Sequence, residues 1–255
     1  MTKPKLFADS YTMFKRCLTK ALRSPEAIFM ATLVPIVMML LFGYVFGGIA
    51  SVGNYSYINF IVPGIIIQCV TNASSATALG IHSDMTTGII DRFRSMAISK
   101  TAVISGHVWV SVIRSMIITA ITIGAAFAVG FRPSAGLTDW LMIAGILTLF
   151  IIAVTWIAVI FGLIAKDAES ISGTMFLLVI LTFLSSGFTP TDTLPTVLRV
   201  FAENQPMTPI INTLRGLMLG VPSGNALPLA LAWSGGIIVV AYLIATGLYR
   251  RKMSR

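Results

Sequence analysis

The sequence predicts an all-α membrane protein, and three observations carry that prediction. The chain is 56% hydrophobic and 11% charged, with a mean hydropathy of +0.90. An ordinary soluble domain carries about 25% charged residues, so this one has too little polar surface to cover itself. A stretch of 57 residues, Ala27 to Ser83, contains no Asp, Glu, Lys or Arg, whereas about 18 apolar residues suffice to mark a bilayer span. Strand-like alternation is lacking, and a helix satisfies its own backbone groups where lipid cannot.

Six spans are predicted, at about 27–49, 57–80, 107–130, 140–165, 171–190 and 226–249, in one membrane domain over residues 1–255. The first follows 26 fairly polar residues and is too long for a signal-peptide core, so it reads as an uncleaved span. Before it, Phe7, Tyr11, Phe14, Leu18 and Leu22 recur at spacings of four, three, four and four, one face of a helix. Lys15, Arg16, Lys20 and Arg23 lie off that stripe or at its border. Residues 1–26 are therefore expected to form an amphipathic helix on the membrane surface, its bases near anionic headgroups. "SPE" at Ser24–Glu26 then starts the first span, with Ser as N-cap and Pro at the first helical position. Within that span Pro35 suggests a kink, and Gly43 and Gly47 form a weak packing signal.

Six spans place both termini on one side. Fourteen bases then fall on that side, in residues 1–26, 81–106, 166–170 and 250–255; three, Arg132, Arg199 and Arg215, fall on the other. By the positive-inside rule the termini are cytoplasmic. The net charge of +9 follows the span ends instead of gathering on a soluble face, which argues against nucleic acid. Two cysteines and two histidines are too few for a metal centre or a disulfide framework. No phosphate-cradling GxxxxGK[ST] occurs, so ATP would have to be handled elsewhere.

The second span is unusually polar. Gln68, Asn72 and Ser75 lie on one helical face, with Thr71 and Ser74 beside it. Small and polar residues hold membrane helices together; the same face would also suit a path for a partly polar cargo. Arg114, some eight residues into the third span, either snorkels, bonds a neighbouring helix or meets substrate. His107 reads as structural. Residues 191–225 are too apolar for a plain loop: "LPTVLRVFA" and "PIINTLRGLML" each read as a short helix, dipping into the outer leaflet.

Between the second and third spans, "DMTTGIIDRFRSMAISK" (Asp84–Lys100) concentrates two acids and three bases in a cytoplasmic insert. This stretch, "RSPEAIFMATLVPIVMMLLFGYVFGG", "YINFIVPGIIIQ" and "SSGFTPTDTLPTVLRVFAENQPMTPIINTLRGLMLG" together resemble the permease subunits of type-2 ABC exporters. The branch is that of the daunorubicin-resistance and nodulation lipo-oligosaccharide permeases. Ala97 and Lys100 depart mildly from the family pattern, which often has proline and arginine there.

The resemblance implies a bacterial inner-membrane permease that pairs with itself or a paralogue and with two copies of a cytoplasmic ATPase. ATP and magnesium would be bound by that ATPase, and no cofactor by this chain. Gly88, Ile89, Ile90, Asp91, Arg92, Phe93, Arg94 and Met96 would belong to a coupling helix docked on the ATPase, with Lys166, Asp167 and Glu169 as a smaller contact. Gln68, Asn72, Ser75 and Arg114 are the candidate cargo path. Export of a drug, an antibiotic or a lipid-linked glycan fits this frame; an ion-coupled carrier fits less well, having few intramembrane charges to work with.

Overall fold

The computed structural model describes residues 14–19, 25–46, 56–87 and 100–254. They are helical throughout their regular parts, with no strand among them. A short helical segment at 14–19 precedes α1 (Pro25–Leu40), which continues as a π-helical turn, Leu41–Phe46. Then come α2 (Tyr57–Thr86), α3 (Lys100–Val129), α4 (Leu137–Ile164) and α5 (Ala168–Phe183). Two short helices, α6 (Thr196–Asn204) and α7 (Met207–Leu219), lead to α8 (Ala226–Ser254).

α2 is the centre of the bundle. It packs against α1, α3, α4, α5 and α7, and its buried residues, from Tyr57 to Asp84, occupy every side of the helix. It is also the least apolar of the long helices. That inversion is physical: surrounded by protein, its polar side chains meet other helices and not hydrocarbon. The most apolar surface lies outside, on α1 (Phe29, Met30, Tyr44) and α8 (Val239, Val240, Leu243), whose side chains are exposed.

Close approach to α2 depends on missing side chains. A Cβ on Gly162 of α4 would stand 2.5 Å from the Ala78 carbonyl oxygen. A Cβ on Gly64 would stand 2.7 Å from the Gly187 Cα and carbonyl oxygen, so there two backbones touch.

The structure bears on three expectations. The second and third spans run past their expected limits, to Thr86 and from Lys100, so residues 81–86 and 100–106 of the expected 81–106 loop are helix. Asp84 lies in the first of these extensions and bonds His107, as described below. Five helices are long and apolar enough to cross a membrane; α5, 16 residues, falls short, at about 24 Å against a hydrocarbon core of about 30 Å. The expected span 171–190 is instead α5 followed by turns at 184–189, with Ser185, Ser186 and Phe188 buried. That segment stays inside because its polar groups have partners. Ser186 Oγ donates to Asn212 at 2.7 Å, the Tyr57 hydroxyl donates to the Phe188 carbonyl at 3.1 Å, and the Gln205 amide donates to Leu181 and Leu184.

Replacing Gly64 by Val should lower the thermal stability of the detergent-purified chain by about 1–3 kcal/mol, the range for overpacking a tight core. Gly145→Val is the control, since nothing lies within 4 Å of a Cβ there. Equal melting of the two variants would show that the contact of α2 with residue 187 is not tight.

Candidate functional site

The chemistry-bearing residues gather at the end of the bundle where α2 stops and α3 starts. Asp84, in the last turn of α2, is 2% exposed. Arg16, from the helical segment 14–19, reaches it with a forked pair of bonds, Nη1 to Oδ2 at 3.1 Å and Nη2 to Oδ1 at 3.2 Å. His107, in the second turn of α3, places Nε2 2.9 Å from the same Oδ2. A buried carboxylate is costly unless paired and hydrogen-bonded, and the fork of an arginine matches both its oxygens. Three elements far apart in sequence are therefore clasped at one carboxylate. Beside them Ile81, Ile104, Val159, Leu163, Ala245 and Tyr249 form an apolar cluster, which brings the end of α8 to the same place. Both the N-terminal segment and the end of α8 thus lie at the Asp84 end.

From the clasp a polar seam runs along α2 and α3. His107 meets Asp84, Arg114 Nη2 donates to Thr77 Oγ1 at 3.0 Å, and the Cys69 sulfur lies 3.4 Å from Thr122 Oγ1. The partners step down one helix as they step up the other, which is antiparallel packing in a single register. Arg114 also donates to the Ala73 carbonyl at 2.8 Å, so it bridges helices. Ser111 and Thr155 extend the seam to α4 at 3.1 Å. Gln68 Oε1, Arg114 Nε, Ser115 Oγ and Thr119 Oγ1 are buried with no partner. Of the expected cargo path, Gln68 is buried, Asn72 and Ser75 half-buried, and Arg114 is bonded into α2.

The other end of α2 carries a second basic hub. Arg215 of α7 donates to the Phe60 carbonyl at 3.1 Å, to the Ser186 carbonyl at 2.5 Å and to Asn212 at 2.8 Å. Its guanidinium also stacks on the Phe60 ring, 4.0 Å from the centroid. One side chain thus ties α7, the start of α2 and the 184–190 turns. Gly220, at φ +67°, ends α7 in the left-handed cap that favours glycine.

The expected coupling helix, Gly88 to Met96, lies outside the described residues, as does most of the expected 1–26 helix. The ends that carry residues 88–99 are described, and they are the two helices Asp84 holds together. Lys166, Asp167 and Glu169 are exposed at the α4–α5 turn, at this same end. Asp167 caps α5, accepting from the Ser170 amide at 2.8 Å, and that bond holds its carboxyl below the usual carboxylate range. Sequence reasoning missed Arg16 and Asp84 as partners: it assigned one to a headgroup-facing surface and the other to a loop. No local signal joins residues 68 positions apart.

Asp84→Ala should cost about 3 kcal/mol of stability, the low end for breaking a buried ion pair, because Arg16 is 31% exposed and can turn to water. Arg16→Leu should in addition speed proteolysis at Lys15, as the N-terminal segment loses its anchor. Unchanged melting in the first and unchanged cleavage in the second would show that the clasp holds nothing.

Known proteins similar in sequence cover most of the chain. A family profile described as ABC-2 type transporter matches residues 9–219. The daunorubicin resistance ABC transporter permease protein DrrB1 of Streptomyces coeruleorubidus is 29% identical over 229 residues, 89% of this chain and 81% of that protein. The probable doxorubicin resistance ABC transporter permease protein DrrC of Mycobacterium tuberculosis is 26% identical over 246 residues, 96% of this chain and 89% of that protein. The inner membrane transport permease YadH of Escherichia coli is 28% identical over 240 residues, 88% of this chain and 89% of that protein.

Proposed function

We infer the function from one premise: this chain belongs to the ABC-2 type transporter family. It is a membrane-spanning permease subunit, helical in its described regular parts and not itself catalytic. We propose that it exports an amphipathic or lipophilic compound, a drug or antibiotic before a lipid-linked glycan, driven by ATP hydrolysis in a separate cytoplasmic ATPase. The observation that carries this reading is the family match over 9–219, together with relatives named for daunorubicin and doxorubicin resistance. An ion-coupled carrier is disfavoured because Arg114, within α3, and Asp84, in the last turn of α2, are both bonded to protein.

The Asp84 end is read as cytoplasmic. Lys15, Arg16, Lys166, Arg250, Arg251 and Lys252 belong to it, against Arg132, Arg199 and Arg215 at the other. Six crossings follow if residues 168–190 make the sixth. In support, Ile171 packs with Ala78 and Phe188 bonds Tyr57, two levels of α2 about 31 Å apart at 1.5 Å per residue. Residues 88–99 would then emerge into the cytoplasm from two helix ends locked at a fixed spacing. A coupling helix there, with Ile89, Ile90, Phe93 and Met96 as apolar contacts and Asp91, Arg92 and Arg94 setting register, would pass ATPase closure to α2 and α3 together. Lys166, Asp167 and Glu169 would touch the same partner, and a second copy or a paralogue would complete the membrane unit.

Co-expression with an ABC ATPase, extraction in mild detergent and measurement of ATP turnover test the reading. Alanine at Asp91, Arg92 and Arg94 together should reduce recovery of the ATPase about tenfold or more, since losing paired interface charges costs roughly 2–5 kcal/mol. In vesicles with ATP, export should survive a proton ionophore. Export that needs no ATPase and collapses with the ion gradient would replace this reading by a secondary carrier.

A further inference from the structure

A cleft on the α3–α4 seam is used by nothing described so far. On α3, Ser105, Val108, Trp109 and Val112 share one helical face; on α4, Ile152 and Trp156 stand one turn apart. Together they line a cleft of about 200 Å³. The seam is closed on both sides of it. Thr148 bonds the Met116 sulfur at 3.9 Å towards the outer end, and Ile104, Val159 and Leu163 pack together towards the Asp84 end. Ser111 and Thr155, 3.1 Å apart and buried, join the same two helices between these points. What remains open is the side where Trp109 stands 56% exposed.

We propose that this cleft binds the flat, uncharged aromatic part of an amphiphile drawn sideways from the membrane at the Asp84 end. Three features choose that occupant. The lining carries no charged side chain, so an inserted charge would find no counter-charge. Two indoles line it, and aromatic rings gain from offset or edge-to-face packing beyond their buried area. Trp156 is held edge-on to Tyr242 of α8, centroids 5.0 Å apart at 85°, so its plane is set before anything binds.

A fixed flat wall suits a rigid ring. A flexible acyl chain would have to be ordered in the same space at an entropic cost and would gain no stacking. Size sets the extent: an apolar cavity of roughly 150 Å³ holds benzene, so this one takes one or two fused rings. The polar remainder would stay at the interface, the depth at which tryptophan belts lie.

Ser105 and Trp109 lie within two residues of His107. Occupancy would therefore be felt next to the Asp84 clasp and the helix ends that carry residues 88–99. The role in transport rests on the exporter reading above; binding does not, and it can be measured without an ATPase.

The test uses the full chain in phosphatidylcholine nanodiscs, titrated with 1-aminonaphthalene, with tryptophan quenching as the readout. The chain has four tryptophans, so each single variant keeps three reporters. Wild type and Trp233→Leu should saturate at one common midpoint. Trp156→Leu should raise that midpoint about fivefold or more, as expected for loss of a stacking partner. Trp109→Phe should stay within about threefold of wild type, because the ring is kept.

Ile152→Trp fills the cleft and leaves both native indoles, so it should abolish saturation and guards against a misfolded Trp156 variant. Linear, unsaturable quenching in wild type would overturn the proposal, since it reports partition into lipid. So would the wild-type midpoint in both Trp156→Leu and Ile152→Trp, or competition by decanol as effective as competition by naphthalene, which would make the occupant an alkyl chain. Saturable binding in a chain that never exports with any ATPase would leave the site standing and remove the exporter reading instead.

Discussion

α2 is the most enclosed of the long helices, so several of its buried polar groups are met by side chains of neighbouring helices, and much of the bundle follows from those meetings. Asp84 draws in Arg16 and His107; Thr77 and the Ala73 carbonyl draw in Arg114; Cys69 meets Thr122. These partners recur in one antiparallel register, so the contacts reinforce one another: sliding α3 along α2 by a turn would break all of them. In water such bonds would be weak statements about stability. Within a membrane a bond between helices contributes about 0.6 kcal/mol on average, yet a buried group left alone costs several times more, so what the seam supplies above all is register.

The two ends of α2 are fastened differently. At the Asp84 end the fastening is ionic and joins segments that leave the membrane. At the Tyr57 end it is neutral backbone bound by one guanidinium: Arg215 gathers the carbonyls of Phe60 and Ser186, while Gly64 and Gly187 let two backbones touch. This is how a non-helical stretch, 184–190, is kept within the apolar bundle. Its hydrogen-bonding groups are met by protein, the condition under which irregular backbone is tolerated at membrane depth.

For a family whose permeases work with a cytoplasmic ATPase, the arrangement has a mechanical meaning. Residues 88–99 leave from two helix ends clasped at one carboxylate. Under the proposed coupling, a push on them would be delivered to α2 and α3 as one body instead of being absorbed by two loose ends. The N-terminal segment shares the clasp through Arg16 and would move with that body. The aromatic cleft opens on the same level, where a shift of α3 against α4 would change its width.

The helical form and the apolar segments long enough to cross a bilayer were legible in the sequence, because length and hydropathy are local properties that the bilayer reads directly. The two short helices before α8 were legible for the same reason. What Asp84 does was not. In the sequence it belongs to a charged insert, and only folding sets it 2.9 Å from His107 and within reach of an arginine 68 positions away. α2 and α3 also run beyond the apolar limits read from the sequence, since charge marks where a chain leaves the hydrocarbon and not where its helix ends. Nor could the sequence show that 171–190 is a 16-residue helix completed by buried turns. Its apolar composition suits a full span equally well. The choice lay with Tyr57, Gln205, Asn212 and Arg215, whose side chains meet that backbone only in the assembled bundle.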